Sequence, residues 1–241
     1  MRVSLQPAYI LHGRPYRDSS LILEAFTAEH GRISLVAKGA RRRARGGSTS
    51  ALLQPFTPLL LSFSGRSELK TLTQVEPAGL AQALRGQNLY SALYVNELLM
   101  RLLHKHDPHP RLFADYTLVV EELAAEADVE VVLRRFELGL LEQLGYSFSL
   151  CHDGHSGEGL DPEAWYQFHP DHGMVASAGA YRTVQPAYRG DELLAMSRGE
   201  FAGENRLAAR RLMRQVLAVH LGDAPLRSRE LFRARTRGKG E

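Results

Sequence analysis

Five cations stand within eight residues, at Lys38, Arg41, Arg42, Arg43 and Arg45, with glycines beside them and no acid among them. Burying so many unpaired charges is prohibitive, so the segment must face solvent. Each Lys or Arg in such a run can neutralise one phosphate and release a counterion. The chemistry to expect is capture of a polyanion by charge, with no bond made or broken. A solvated linker would also carry charge, but this run lies inside a small, strand-rich stretch, where linkers seldom concentrate one sign. Arg14, Arg17, Arg32, Arg66 and Lys70 fall at other loops or strand ends and extend the same expected surface. Unpaired bases also need aromatic platforms. Tyr9, Tyr16, Phe56 and Phe63 are the candidates; core packing competes at each, and Tyr16, in a polar loop between Arg14 and Arg17, is the strongest.

Three further groups invite a reading. Arg134 and Arg135 border Leu133 and Phe136, and a basic pair beside an apolar groove can take an acidic peptide; an ordinary polar helix face explains the pair as well. Arg227, Arg229 and Arg233 surround Ser228, a candidate N-cap, and would form a second basic surface if Leu231 and Phe232 pack inward. Cys151, His152, His155, His169 and His172 lie close in sequence, yet no C-x2-C or H-x3-H pair is present. A degenerate metal site there is weaker than a polar loop with scattered histidines. Asp153, Glu158, Asp161 and Glu163 read as loop acids. No P-loop and no G-x-S-x-G elbow occurs. The expectation is no catalytic residue, no metal and no cofactor, hence a protein that is not an enzyme; a small hydrolase built on the His/Asp-rich loop is the third-ranked reading.

These groups need elements to hold them. Residues 3–12, 20–26, 32–37, 54–63 and 69–75 read as short strands, separated by Gly13, Pro15, Gly31, Gly46, Gly47 and Gly65. Pro55 and Pro58 make the fourth start late or run at an edge. Five such strands suit a small closed barrel, of the OB or the SH3-like type. After Pro77 the period changes to 3.6. Residues 88–104, 112–125 and 129–144 read as helices, the first broken by Asp107-Pro108-His109-Pro110 and the third stopped by Gly145. Residues 147–190 are loop-rich, with one hairpin expected at 165–168 and 174–177. A short helix begins near Asp191. A clear one spans 205–220 with Leu207, Leu212, Val216 and Leu217 inward, and a last one covers 228–233. The expected fold class is α+β: a barrel at 1–79, then a mainly helical domain at 80–241 with a loop-rich insertion near 147–190.

Length and charge agree. The 241 residues carry a net charge of +3 and are 44% hydrophobic, enough to bury a core. Residues 1–79 hold 11 Lys and Arg against 5 Asp and Glu, residues 80–200 hold 9 against 18, and residues 201–241 hold 10 against 4. Basic ends around an acidic middle point to nucleic acid as partner. A single cysteine excludes an intrachain disulfide. With no apolar run of membrane-spanning length and no secretory pattern at the start, a soluble, cytoplasmic protein without membrane contact is expected.

Several stretches resemble the RecO family of DNA-repair proteins: Tyr9 to Leu23, Gly31 to Arg41, Leu53 to Leu61, Leu89 to Leu99, Leu133 to Leu141 and Ser228 to Arg233, in order along the whole chain. The resemblance implies an N-terminal OB-fold, deciding the barrel type, and a helical C-terminal domain. It implies a recombination mediator that binds single- and double-stranded DNA, anneals complementary strands and binds the C-terminal tail of the single-strand-binding protein SSB. With RecR it would help load RecA, in a nucleoid-associated setting. It places Lys38 and Arg41 in the DNA-binding part of the barrel and makes Arg134 and Arg135 the site for the SSB tail. Some members carry a four-cysteine zinc site in the loop region; here only Cys151 falls there, so the site is lost. The runner-up is an RNA-binding OB-fold accessory factor, since RNA offers the same phosphates and stackable bases.

Overall fold

The computed structural model describes residues 1–42, 49–177, 186–222, 224–228 and 230. It forms two compact units: Met1–Glu126 together with the segment beginning at Leu226, and Ala127–Pro225.

The first unit is built on five strands, β1 (Arg2–Tyr16), β2 (Ser20–Thr27), β3 (Gly31–Ala37), β4 (Leu59–Ser64) and β5 (Leu69–Pro77), with a helical turn α1 (Thr49–Leu52) before β4. They close in the order β1-β2-β3-β5-β4, with β3 and β5 parallel and the other pairs antiparallel. This is the five-stranded barrel with OB-type order. Alternation fills it: Ile10, Leu23, Ala25, Ile33, Leu35, Leu59, Leu61 and Phe63 point inward and form one apolar cluster. Strand β1 is longer than its pattern suggests because it pairs with β4 through one half and β2 through the other. It turns between them at irregularities after Val3 and Ile10, as closure of a small barrel requires. The fourth strand does start late, beyond Pro58.

Outward residues of the same strands have two fates. Tyr9 and Phe26 are directly paired across β1 and β2 and are covered by Phe113 and Tyr116, with ring centroids 5.0 to 6.1 Å apart. These two rings belong to α3 (Pro110–Ala124), which follows α2 (Gly86–Leu102). Asn96 of α2 ties the elements together: its amide donates to the Leu11 carbonyl at 2.9 Å and its oxygen accepts from the buried Tyr116 hydroxyl at 2.8 Å. Residues 105–106 then run beside the start of β3, with a parallel bridge from Lys105 to Arg32 and the His106 N–H on the Arg32 carbonyl at 2.9 Å. Gly31 permits this approach, since a Cβ there would lie 1.9 Å from the Asp107 carbonyl oxygen. Toward the other end of the strands, the helical turn α1 lies beside β5, and its Ser50 N–H donates to the Ala40 carbonyl at 3.1 Å.

The second unit holds α4 (Val129–Gln143), a sheet of β6 (Trp165–His169), β7 (Gly173–Ser177) and β8 (Ala187–Arg189) in the order β7-β6-β8, then α5 (Gly190–Ser197) and α6 (Arg206–Leu221). Asp128 caps α4, and Gly145 follows it in a left-handed conformation at φ 78°. The third strand, β8, escaped the sequence pattern because it is only three residues long. Leu207, expected inward, is 73% exposed; α6 turns Ala208, Ala209, Leu212, Met213, Val216 and Leu217 inward instead, and Leu207 lies outside that stripe. No described helix is long and apolar enough to cross a membrane.

Candidate nucleic-acid interface

On the barrel, a groove of about 530 Å3 is lined by Tyr16, Arg17, Ser19, Ser20, Val36, Lys38, Gly39, Arg42, Leu69 and Thr71. Strand pairing explains the assembly. Tyr16 faces Ser20 across the β1–β2 hairpin, Val36 of β3 faces Thr71 of β5, and Lys38 to Arg42 continue directly from β3. Two hydrogen bonds hold the wall: the Arg41 N–H donates to the Ser19 carbonyl at 2.9 Å, and the Arg42 N–H to the Gly39 carbonyl at 2.9 Å. Ala40 is buried in the barrel core. The start of the basic run, expected to project freely, is therefore a pinned turn that seats Lys38 and Arg42 over the groove. Gly39 adopts φ 69° there, which costs glycine little.

The lining has one sign of charge: Arg17, Lys38 and Arg42, and no carboxylate. The Arg17 guanidinium lies 5.1 Å from the centre of the Tyr16 ring, a cation–π distance. Tyr16 is partly exposed, whereas Tyr9, Phe56 and Phe63 are buried. Burial removes those three from the stacking candidates: Phe63 fills the barrel core, Tyr9 the contact with α3, and Phe56 is buried as well. Leu69, which is exposed, and the buried Val36 add apolar surface to the lining. The arrangement can bind a chain of phosphates and unpaired bases, charge at the rim and a ring beneath. Leu69 and Thr71 enter the site through strand pairing with β3 and Arg17 through the β1–β2 turn; only Arg17 carried a signal in the sequence, a cation within a turn.

The other expected residues divide. Arg14 is exposed on β1 opposite Ile22, two residues before Tyr16, and Arg41 is exposed beside the groove. Arg66 is exposed in the β4–β5 turn. Lys70 is a correction: it is 7% exposed, pairs with the inward Leu35, and its ammonium donates to the Ser67 carbonyl at 2.7 Å. It holds the turn from a buried position. Arg32 likewise serves the fold, bound to Glu24 at 3.0 Å and to the Leu103 carbonyl. Arg227 is exposed, its N–H donating to Glu97, which also accepts from the Ser228 N–H and hydroxyl. Burial opposes ionisation of Glu97, but these hydrogen bonds hold its carboxyl below the ordinary range. Arg43, Arg45, Arg229 and Arg233 lie outside the described residues.

In the second unit Arg134 is also a correction. It is 6% exposed and bonds Glu137 at 2.8 Å, with Glu130 beyond. It neutralises buried acids of its own helix. Arg135 is exposed. Around Cys151, no group of three or more His, Cys, Asp or Glu among the described residues is placed to hold a metal ion. The best donor there is already engaged: Asp153 accepts from the backbone N–H groups of His155, Ser156 and Ala176 at 2.7 to 2.9 Å. The residues present do not fit a zinc site.

Comparison with known proteins agrees with the architecture. The family model described as Recombination protein O N terminal matches residues 1–81, and that described as Recombination protein O C terminal matches residues 84–230. The DNA repair protein RecO of Methylococcus capsulatus is 47% identical over 234 residues, 97% of this chain and 94% of that protein. Those of Vibrio parahaemolyticus and Aliivibrio salmonicida are 46% and 44% identical, covering 97% and 98% of this chain and 96% and 98% of their own lengths. With an OB-type barrel, a mainly helical remainder and relatives matched over nearly their whole lengths, the chain belongs to the RecO family of DNA repair and recombination proteins.

Proposed function

We propose that this protein is a recombination mediator that binds single-stranded DNA in the groove on its barrel. The observation that carries the reading is the lining: three cations, one accessible tyrosine and no acid. Lys38, Arg41, Arg42 and Arg14 contact phosphates, and Tyr16 takes a base against its ring. Arg66 and Arg227 lie on the same unit and extend the cationic surface. Duplex DNA binds through the same phosphate contacts. Annealing follows, because a cationic surface screens the repulsion between two strands and raises their local concentration. The SSB tail is acidic, and Arg135 is the exposed cation of the pair proposed to receive it. With RecR the protein promotes loading of RecA, and none of these steps is covalent catalysis.

The test is a salt titration of a fluorescent oligonucleotide, with DNA and RNA of matched sequence. Each phosphate contact on a single strand contributes about 0.7 to the slope of log affinity against log salt. Replacing Lys38, Arg41 and Arg42 by alanine should make the slope shallower by about 2. Equal slopes for the variant and the parent would sink the groove reading. Tighter binding of RNA than of DNA would favour an RNA-binding role. Annealing of SSB-coated strands should slow in the same variant.

A further inference from the structure

On the β5 side the groove is lined as far as Leu69. Glu68 is its chain neighbour, and the Glu68 carboxylate accepts a hydrogen bond from the Lys105 ammonium at 2.5 Å. Lys105 comes from a different element, the link between α2 and α3, yet it runs beside β3 where β5 does not reach: β5 pairs only with Ser34 to Val36, and Lys105 bridges Arg32. The link is fixed there. His106 sits at φ 62°, a left-handed conformation that favours glycine or asparagine, held by its N–H on the Arg32 carbonyl. Beside Lys105, His104 and His106 are exposed, and so is Arg66, two residues before Glu68. Glu68 and Asp107 are the acids in these two segments. Lys105 holds the Glu68 carboxyl below the ordinary range, first by hydrogen bond and then by charge. Burial, then Lys70, holds His106 below its own ordinary range, with Lys105 and His30 acting in the same direction and Glu68 opposing.

We propose that this patch is a second phosphate site on the path of the DNA strand that occupies the groove, with Lys105 as the contacting cation and Glu68 as the carboxylate that the phosphate displaces. The inference rests on the groove reading given above. From Thr71, in the groove, to Glu68 is three strand residues, about 10 Å. Barrels of this type engage about 4 to 16 nucleotides, so one strand reaches both places. In the free protein Glu68 keeps Lys105 neutralised and positioned. A phosphate takes over that role when a strand is long enough to leave the groove, and a short oligonucleotide does not reach it.

The experiment compares oligo(dT) of about 2 and about 20 nucleotides across a salt series; at about 3.4 Å per nucleotide the first is too short to span from the groove to Glu68, and the second is long enough. The full chain is used, with Lys105→Gln, Glu68→Gln and Arg42→Ala variants. With the long strand, Lys105→Gln should lower affinity about 3- to 10-fold and make the slope shallower by about 0.7, one contact. Glu68→Gln should tighten binding of the long strand, because the competing carboxylate is gone. Neither change should alter binding of the short strand, whereas Arg42→Ala should weaken both. If Lys105→Gln and Glu68→Gln match the parent on the long strand while Arg42→Ala weakens it, the second site is wrong and the groove reading stands. If Arg42→Ala also matches the parent, the groove reading itself fails. Equal effects of Lys105→Gln on both lengths would mean general attraction, which overturns the site.

Discussion

Asp153→Ala should destabilise the second unit by about 3 kcal/mol without changing DNA binding. One oxygen of Asp153 accepts from the N–H groups of His155 and Ser156 at 2.8 and 2.9 Å, and the other from Ala176 of β7 at 2.7 Å. The first two close the turn that begins the loop; the third ties the loop to the sheet. Its backbone neighbour reinforces the tie, with the Gly154 N–H on the Met174 carbonyl at 2.7 Å. A Cβ on Gly154 would meet the His172 carbonyl oxygen at 1.5 Å, so the loop lies directly on the β6–β7 turn. Three hydrogen bonds to a charged acceptor, discounted to about 1 kcal/mol each because water reaches parts of the loop, give the figure. The assay is urea unfolding followed through Trp165, the only tryptophan of the chain, on the strand paired with β7. At a slope of about 2 kcal/mol/M the midpoint should fall by about 1.5 M. The hydrogen bond from Ser156, with those from His155 and Ala176, holds the carboxyl below the ordinary range against the opposing effect of burial. A depressed carboxyl stabilises the fold above its unfolded pKa of about 4, and the gain is lost as pH falls through the folded value. The parent should therefore lose stability in acid more steeply than Asp153→Ala. A change under about 0.5 kcal/mol, the size of an ordinary surface substitution, would refute the reasoning.

Tyr16→Ala should weaken single-strand binding by about 1 to 3 kcal/mol with little change in salt slope, because stacking releases no counterions; a changed slope with unchanged affinity at low salt would assign Tyr16 no stacking role. Asn96→Ala should cost about 2 to 3 kcal/mol in urea unfolding, since the Leu11 carbonyl and the Tyr116 hydroxyl would be left buried without a partner. Gly31→Ala places a Cβ 1.9 Å from the Asp107 carbonyl at a φ of 62°; it should cost about 2 kcal/mol or more and loosen hydrogen-exchange protection of His106.

Period and punctuation revealed most of the elements. Alternation marked the five strands, the change of period after Pro77 marked α2 to α4, and Pro110 and Gly145 marked ends that the backbone realises. A three-residue strand such as β8 carries too little pattern to be seen, and Leu207 shows that an apolar residue at the edge of a helical stripe can face water. The sequence also concentrated cations at Lys38 to Arg45, and that alone pointed to a polyanion. It could not separate cations that face solvent from cations that serve the fold. Lys70 and Arg134 have the same chemistry as Lys38 and Arg42, but strand register turns Lys70 toward the barrel interior and helix spacing sets Arg134 against Glu130 and Glu137. Likewise Tyr9 and Tyr16 stand on one strand and one face, and only the docking of α3 decides that Tyr9 is covered while Tyr16 stays open. Residue type and spacing thus determined the fold class and pointed to a polyanion as the proposed partner. Which of the cations and rings stay accessible was decided by register and by what packs on the barrel, because these are contacts between residues far apart in the chain, and local pattern carries no record of them.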